Sequence, residues 1–465
     1  MHLPPAKRTA PENTYAFVHE LLGEDVHATR VLSLANGVVG VMHSAALGIH
    51  AIGRGLADAL DLDPKHAIKQ VDRLLSNRGI AIWAWFAQWV AFVVADRKEV
   101  LVALDWTEFD KDGHATIALY LVTSHGRATP LVWKTIDKAK LKDRRGEYEL
   151  EVVSRLHETL PSGIDVMVLA DRGFGDQKLF AWLDTIGWGY VIRFRQLITV
   201  TFGDESRPAA EWIPRSGHAK MLRDVLFTKD KTPVAAVVLK HQKGMKEAWC
   251  LATNRPELGA AEVVSRYSRR FTIEETFRDI KDNHFGMGLS ATHIGVPERR
   301  DRLLFISAVA QALLTLLGAA SEACGLDRTL KANTVKTRTM SLFNQGSYWY
   351  RRIPNMGDER LRPLMTAFGD ERLHREALAA EEEGDAVPDL EGRLQVVGDG
   401  DGGDPQLVLE VEDHPADHVG HHRVEPGGGL VEQQDLRLQG DRPGEADAPL
   451  HAAGEFAGAE PVGAL

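Results

Sequence analysis

Cysteine is nearly absent from the 465-residue chain: Cys250 and Cys324 are too few for a disulfide framework or a thiolate metal cluster, which points to a reducing compartment. The opening MHLPPAKRTAPEN has no apolar stretch of the kind a secretory leader needs, so a cytoplasmic protein is expected. Long hydrophobic runs are scarce as well. The two best, 80–95 with 16 residues and 303–320 with 18, fall short of the about 20 apolar residues of a membrane span, so both are assigned to buried core and no membrane partner is expected. An excess of positive charge is also missing. The chain carries 55 basic against 66 acidic residues, a net charge of -11, which taken whole argues against a polyanion partner.

That average joins two unlike segments. Residues 376–465 hold 22 acidic and only four basic residues, Arg393, Arg423, Arg437 and Arg442, a net of -18. The preceding 375 residues hold 51 basic against 44 acidic, or +7, compatible with a nucleic-acid partner. The acidic tail lacks Lys, Ile, Asn, Ser, Thr, Met, Tyr, Trp and Cys altogether, and every residue in it except Phe456 has a codon that begins with G or C. Disordered linkers are ordinarily rich in Ser and Lys. The pattern fits an out-of-frame or opposite-strand reading of GC-rich DNA entered after about Phe368, with a genuine acidic disordered tail as the alternative. The cluster His414, His418, His421 and His422 lies in this tail and is read as a compositional accident.

In the body, residues 12–78 have the three-and-four spacing of helices, through Tyr15, Val18, Leu21 and Leu22 and then Val31, Leu34, Val38 and Val41. Asp63-Pro64 is an N-cap followed by proline at the first helical position. In the helix it starts, Lys65, Lys69 and Arg73 fall at i, i+4 and i+8, with Ile68, Val71 and Leu75 supplying an apolar side. Two short helices with a basic stripe on the second resemble a helix-turn-helix reader of DNA, and a merely solvated basic face is equally open.

After Arg97 the pattern alternates. The strands EVLVALDW, HATIALYLV and ATPLVWKTI, separated by turns at 111–113 and 124–126, are followed by a helix at 144–160, the apolar run IDVMVLADRGF, a helix at 177–186 and the strand GYVIRF. This order predicts an α/β layer with a mixed sheet. Residues 196–250 read as a β-rich insertion, and 260–282 as a single helix. Asp105 and Asp171 each end an apolar strand, at the rim where ligands of open α/β folds collect, although a strand-ending Asp is commonly just a turn former. On the later helix Tyr267, Arg270, Glu274 and Lys281 fall within an arc of roughly 60° at about 100° per residue, so one face presents a carboxylate, two cations and a phenol. An exposed helix with ordinary pairing between Arg270 and Glu274 has the same spacing.

The spacing Y-x2-R-x3-E-x6-K at Tyr267, Arg270, Glu274 and Lys281 resembles the signature of the IS-four family of bacterial DDE transposases. Asp105-Trp106-Thr107 and Asp171-Arg172-Gly173-Phe174 are similar to that family's first and second Asp segments, and the resemblance covers about residues 10–360. It implies an α/β, RNase H-like mixed sheet flanked by helices, with a β-rich insertion and an N-terminal helical domain. Carried over, Asp105, Asp171 and Glu274 would be the catalytic and metal-binding triad for two Mg²⁺ ions, with Mn²⁺ as a substitute. Phosphodiester chemistry with two ions about 3.5–4 Å apart and hard oxygen ligands agrees with that role. Tyr267, Arg270 and Lys281 would contact DNA phosphates, together with Lys65, Lys69 and Arg73 of the N-terminal helix. Glu275 is the fallback third ligand, about 100° further round the helix. In relatives a displaced base at a hairpin end stacks on an aromatic of the insertion; Trp249 or Trp212 could serve, with a structural packing role as the alternative.

The implied layout is a helical DNA-binding domain at 1–97, catalytic core at 98–195 and 251–345, insertion at 196–250, a shortened C-terminal region at 346–375, and the tail. Double-stranded DNA and a second copy of the chain, in a dimer that pairs transposon ends, are the expected partners. Three activities stay open: cut-and-paste transposition, a nuclease or resolvase of the same fold, and a DNA-binding remnant.

Overall fold

A computed structural model describes residues 9–23, 26–123, 127–281 and 286–370, and two short strands beyond them. Four helices come first: α1 (Thr9–Leu22), α2 (Ala28–Ser44), α3 (Ile49–Leu60) and α4 (Pro64–Ser76). Val31, Leu34, Val38 and Val41 are buried along α2, as their spacing predicts. Asp63 caps α4 by accepting the His66 amide at 3.0 Å, with Pro64 in the first turn. The aromatic run at 80–95 forms α5 (Ile82–Val94), fixed to the sheet by the Trp89 indole, which donates to the Pro130 carbonyl at 2.8 Å.

The sheet opens with an antiparallel meander of β1 (Glu99–Phe109), β2 (His114–Val122) and β3 (Ala128–Asp137). Gly113, at φ 64°, supplies the left-handed residue the first turn requires. The second turn, 124–126, lies outside the described residues. Two crossovers follow: α6 (Arg145–Thr159) leads to β4 (Asp165–Ala170), parallel to β1, and α7 (Gln177–Thr185) leads to β5 (Gly189–Arg193), parallel to β4. The segment read as a β-rich insertion contains β6 (Thr199–Phe202), β7 (Glu205–Pro208), the short α8 (Ala209–Trp212), β8 (Lys220–Phe227) and β9 (Thr232–Lys240), and returns through β10 (Trp249–Thr253). β10 pairs antiparallel with β5, so these strands extend the central sheet. The result is one mixed ten-stranded sheet of order β3-β2-β1-β4-β5-β10-β9-β8-β6-β7.

Next come α9 (Ala260–Ser268), α10 (Thr272–Lys281), α11 (Pro297–Ala323), α12 (Leu342–Tyr350) and α13 (Asp358–Phe368). Beyond them β11 (Leu394–Val397) pairs antiparallel with β12 (Gln406–Leu409). The rest of the acidic tail, including His414, His418, His421 and His422, lies outside the described residues.

Two expectations are corrected. Asp105 lies inside β1, not at its end, because β1 and β2 stay paired as far as Phe109 and His114 and bury Thr107 and Phe109 on the way. The single helix expected at 260–282 is interrupted by a 3-10 turn at Arg269–Phe271, where Arg270 is drawn to carboxylates on both sides and Phe271 stacks on Trp249. The backbone stays right-handed helical at Ser268, Arg269 and Thr272, and Arg270 keeps contact with both the Tyr267 ring and Glu274.

α11 is long and apolar enough to cross a membrane, yet 89% of its most apolar window is buried within the chain. It packs on α2, α12, α13 and β3, in an apolar interior continuous from Val18 to Leu364. Its first turn is pinned to the sheet by polar contacts. The Thr135 amide donates to Asp301 Oδ1 at 3.0 Å, and the buried Arg300 pairs with Asp112 and lies 3.9 Å from the centre of the Phe109 ring. Against α12 the helix approaches through glycine: a Cβ on Gly346 would lie 1.7 Å from the Leu314 carbonyl oxygen, and one on Gly318 would lie 1.9 Å from that of Leu342. Only backbone could give way there. Gly346→Ala is therefore expected to destabilise the protein by about 3 kcal/mol or more, read as a lowered midpoint in urea unfolding.

Candidate active site

The site begins with strand register. Along the parallel β1–β4 ladder Leu104 stands opposite Ala170, so the next residues, Asp105 and Asp171, emerge side by side where that ladder ends. Asp171 caps the short turn Arg172–Phe174, its Oδ1 accepting the Gly173 amide at 2.7 Å. Asp105 Oδ1 accepts the amide of Trp106 at 2.8 Å. The loop after β4 is tied across to the insertion by Glu247, whose Oε2 accepts from both Arg172 and Arg193 at 2.8 Å.

The third carboxylate comes from α10. Arg270, in the 3-10 turn, reaches Asp105 Oδ2 with Nη1 at 3.4 Å and Glu274 Oε1 with Nη2 at 3.0 Å. Its guanidinium is thus shared between two carboxylates far apart in sequence. Arg270 is only 6% exposed, and its buried Nε has no hydrogen-bond partner. Burial pushes the Asp105 carboxyl up to about 7; Arg270 opposes the shift, and Asp171 and Glu274 add to it by repulsion. Burial likewise raises Glu274 against the pull of Arg270. For Arg270 burial works against the charge, but Tyr267, Asp105, Glu274 and Asp171 outweigh it and hold the guanidinium protonated. Asp105, Asp171, Glu274 and Arg270 form one electrostatic unit.

The remaining predicted site residues are placed differently. Tyr267 is 1% exposed and packs edge-on against Trp249 at 5.0 Å, and burial raises its phenol. Lys281 has its ammonium over the rings of Phe109 and Phe277 at 5.4 and 5.8 Å. Glu275 pairs with Arg278 at 3.1 Å. Trp212 is buried beneath Arg207 and donates to the Val200 carbonyl at 3.2 Å, whereas Trp249 is half-buried between the Tyr267 and Phe271 rings. Lys65, Lys69 and Arg73 are all exposed on α4.

Glu149 was not singled out by its sequence, yet it belongs to this neighbourhood. It is 6% exposed, accepts the Trp106 indole N–H at 2.8 Å, and is repelled by Asp176 and Asp171. A signal did exist, because Glu149 sits at helical spacing from the buried Val152, Val153 and Leu156 and so occupies an apolar stripe of α6.

Carboxylates that follow the last pair of the parallel β1–β4 ladder, in a sheet whose first five strands run β3-β2-β1-β4-β5, are compatible with an RNase H-like transposase fold. Residues 96–308 match the family model of the transposase DDE domain, and this match supports a DNA transposase, an enzyme that cleaves and rejoins DNA strands. No curated protein matches the chain.

DDE transposases generally use divalent metals. Asp105, Asp171 and Glu274 offer hard oxygen donors, and the repulsion by Asp171 and Glu274 that adds to the effect of burial on Asp105 is what a cation among them would relieve. Their donor chemistry therefore fits Mg²⁺. Among the described residues, however, no group of three or more His, Cys, Asp or Glu side chains is drawn close enough to hold a metal ion. Arg270 occupies the gap between Asp105 and Glu274.

Glu149 provides a test of this electrostatic unit. Burial raises its carboxyl, so the fold favours the protonated form, and the stability this lends is present at low pH and lost as pH rises through the folded value. Glu149→Gln keeps an acceptor for Trp106 without the charge. It is expected to match wild type in urea unfolding at pH 4 and to exceed it at pH 8.

Proposed function

We propose that this chain is a cut-and-paste transposase of the IS-four type, with Asp105, Asp171 and Glu274 as the triad that holds two Mg²⁺ ions, replaceable by Mn²⁺. The observation that carries this reading is the abutment of Asp105 and Asp171 at one strand register, joined through Arg270 to Glu274, inside a segment that matches a transposase DDE domain. When bound, the ions supply Lewis acidity at the scissile phosphodiester.

The chain's own groups do the rest. The three carboxylates concentrate negative charge at the rim of the sheet. Arg270 offers a planar fork suited to bidentate contact with a phosphate, and Lys281 a point charge at the end of α10. Tyr267, buried against Trp249, backs Arg270 and reaches DNA only at its edge. Water attacks the phosphodiester at the transposon end in line with the bond that breaks, releasing a 3′-OH. That 3′-OH then attacks a target phosphodiester: a new P–O bond forms as the old one breaks, so the number of diester linkages is conserved.

The helices of 1–97 serve as the DNA-binding part, with Lys65, Lys69 and Arg73 on duplex phosphates. Two copies assemble to pair the ends, in the cytoplasm beside the nucleoid.

Duplexes carrying the inverted repeats that flank the gene are the substrate for the test. Asp105→Asn, Asp171→Asn and Glu274→Gln are each expected to reduce Mg²⁺-dependent cleavage by about a thousandfold or more while end binding persists in a mobility-shift assay. Equal inertness of wild type and variants would instead indicate a DNA-binding remnant. Cleavage without joining of a pre-cleaved 3′-OH end would indicate a nuclease.

The α4 stripe is tested separately. Replacing Lys65, Lys69 and Arg73 together by Ala is expected to weaken duplex binding regardless of sequence and to lower the salt slope by about 0.9 for each lost phosphate contact.

A further inference from the structure

We propose that Arg270 is a built-in counter-ion that blocks the carboxylate site against divalent cations until a DNA phosphate draws its guanidinium away, so that metal loading is coupled to DNA binding. This inference rests on the reading of Asp105 and Glu274 as metal ligands.

Position comes first. The two terminal nitrogens of Arg270 reach Asp105 Oδ2 at 3.4 Å and Glu274 Oε1 at 3.0 Å, so one guanidinium takes an oxygen from each of two carboxylates that a metal would need. Asp105 Oδ1 is already engaged by the Trp106 amide. A divalent cation and the guanidinium compete for the same carboxylate oxygens, and like charges a few ångströms apart repel at this partly buried site. The other nearby arginines do not serve as counter-ions here, because Arg172 and Arg193 are both held by Glu247 at 2.8 Å.

The seat is also incomplete. Arg270 is 6% exposed and its Nε is buried without an acceptor, leaving donor capacity that the present contacts do not use. Such a group, desolvated but not fully satisfied, is poised to exchange partners. A phosphate can take two guanidinium N–H groups at once and brings its own charge, which compensates for what the carboxylates lose. Arg270 also sits in the 3-10 turn between α9 and α10, a kind of helix interruption common at functional sites.

The linkage follows. If the carboxylates are open to metal only in the fraction of molecules with Arg270 displaced, the apparent metal affinity falls by that fraction, and a phosphate that captures Arg270 restores it. By reciprocity the metal strengthens DNA binding equally. The metal-free protein would in this way be kept from loading and cutting without its DNA.

The test measures Mn²⁺ binding by full-length protein, by electron paramagnetic resonance titration without nucleic acid and again with a short random-sequence duplex. Arg270→Gln is expected to bind Mn²⁺ about tenfold more tightly than wild type in the absence of DNA, corresponding to an open fraction of about one in ten. DNA is expected to tighten Mn²⁺ binding in wild type and to narrow the gap between the two proteins. Asp105→Asn is expected to lose the site in either background. If Arg270→Gln binds Mn²⁺ no more tightly than wild type while Asp105→Asn still abolishes binding, the counter-ion role is overturned and the metal site stands. If Asp105→Asn binds Mn²⁺ as wild type does, the metal-ligand reading itself fails, and this inference with it. Should Arg270→Gln not fold by circular dichroism, Arg270→Lys takes its place: a cation that cannot bridge both carboxylates is expected to tighten Mn²⁺ binding by about threefold, and no change overturns the proposal.

Discussion

One guanidinium bonded to two half-buried carboxylates, from a strand and from a helix, ties the sheet to the helices that follow it. It belongs to Arg270, which meets Asp105 on one side and Glu274 on the other. Much of the surrounding structure follows from it. The break between α9 and α10 places the guanidinium, Phe271 stacks on Trp249 to support the turn, and Tyr267 is buried beneath. The raised carboxyl of Asp105 records what remains uncompensated.

The rim can carry this strain because the sheet beneath it is well anchored. β1 lies between the meander and the parallel strands, paired with β2 on one side and β4 on the other, so Asp105 is held by ladders on both edges. α11 closes the interior, with Arg300 and Asp301 tying its first turn to the β1–β2 turn and to β3. Its apolar composition, enough for a membrane helix by length, is here the composition of a core element surrounded by other helices. At its far half the glycines at 318 and 346 bring its backbone against α12.

Some of the site could be read from the chain and some could not, for identifiable reasons. Asp105 and Asp171 follow apolar runs whose period marks strands, so their rim position was legible, although the extension of β1 past Asp105 depends on pairing with β2. Arg270 and Glu274 stand four apart, and their contact persists because the backbone stays right-handed helical through the 3-10 turn. Lys281 stands seven residues after Glu274 in the same helix α10, with its ammonium over the Phe109 and Phe277 rings, contacts that its spacing alone does not reveal. Glu149 escaped notice because an acidic residue in an apolar stripe gains meaning only when its partner, the Trp106 indole, is known.

The sequence by itself determined the alternation of strands and helices, the basic stripe on α4 and the order of the acidic motifs, because periodicity, capping and spacing act over a few residues. Only the tertiary structure decided that Leu104 stands opposite Ala170, which puts Asp105 and Asp171 at the same end of the ladder, that a 3-10 turn interrupts the predicted helix at Arg270, and that this guanidinium bonds Asp105 and Glu274. Those outcomes depend on strand pairing and on desolvation of charge, and both bring together groups far apart in the chain, Leu104 with Ala170 and Asp105 with Arg270.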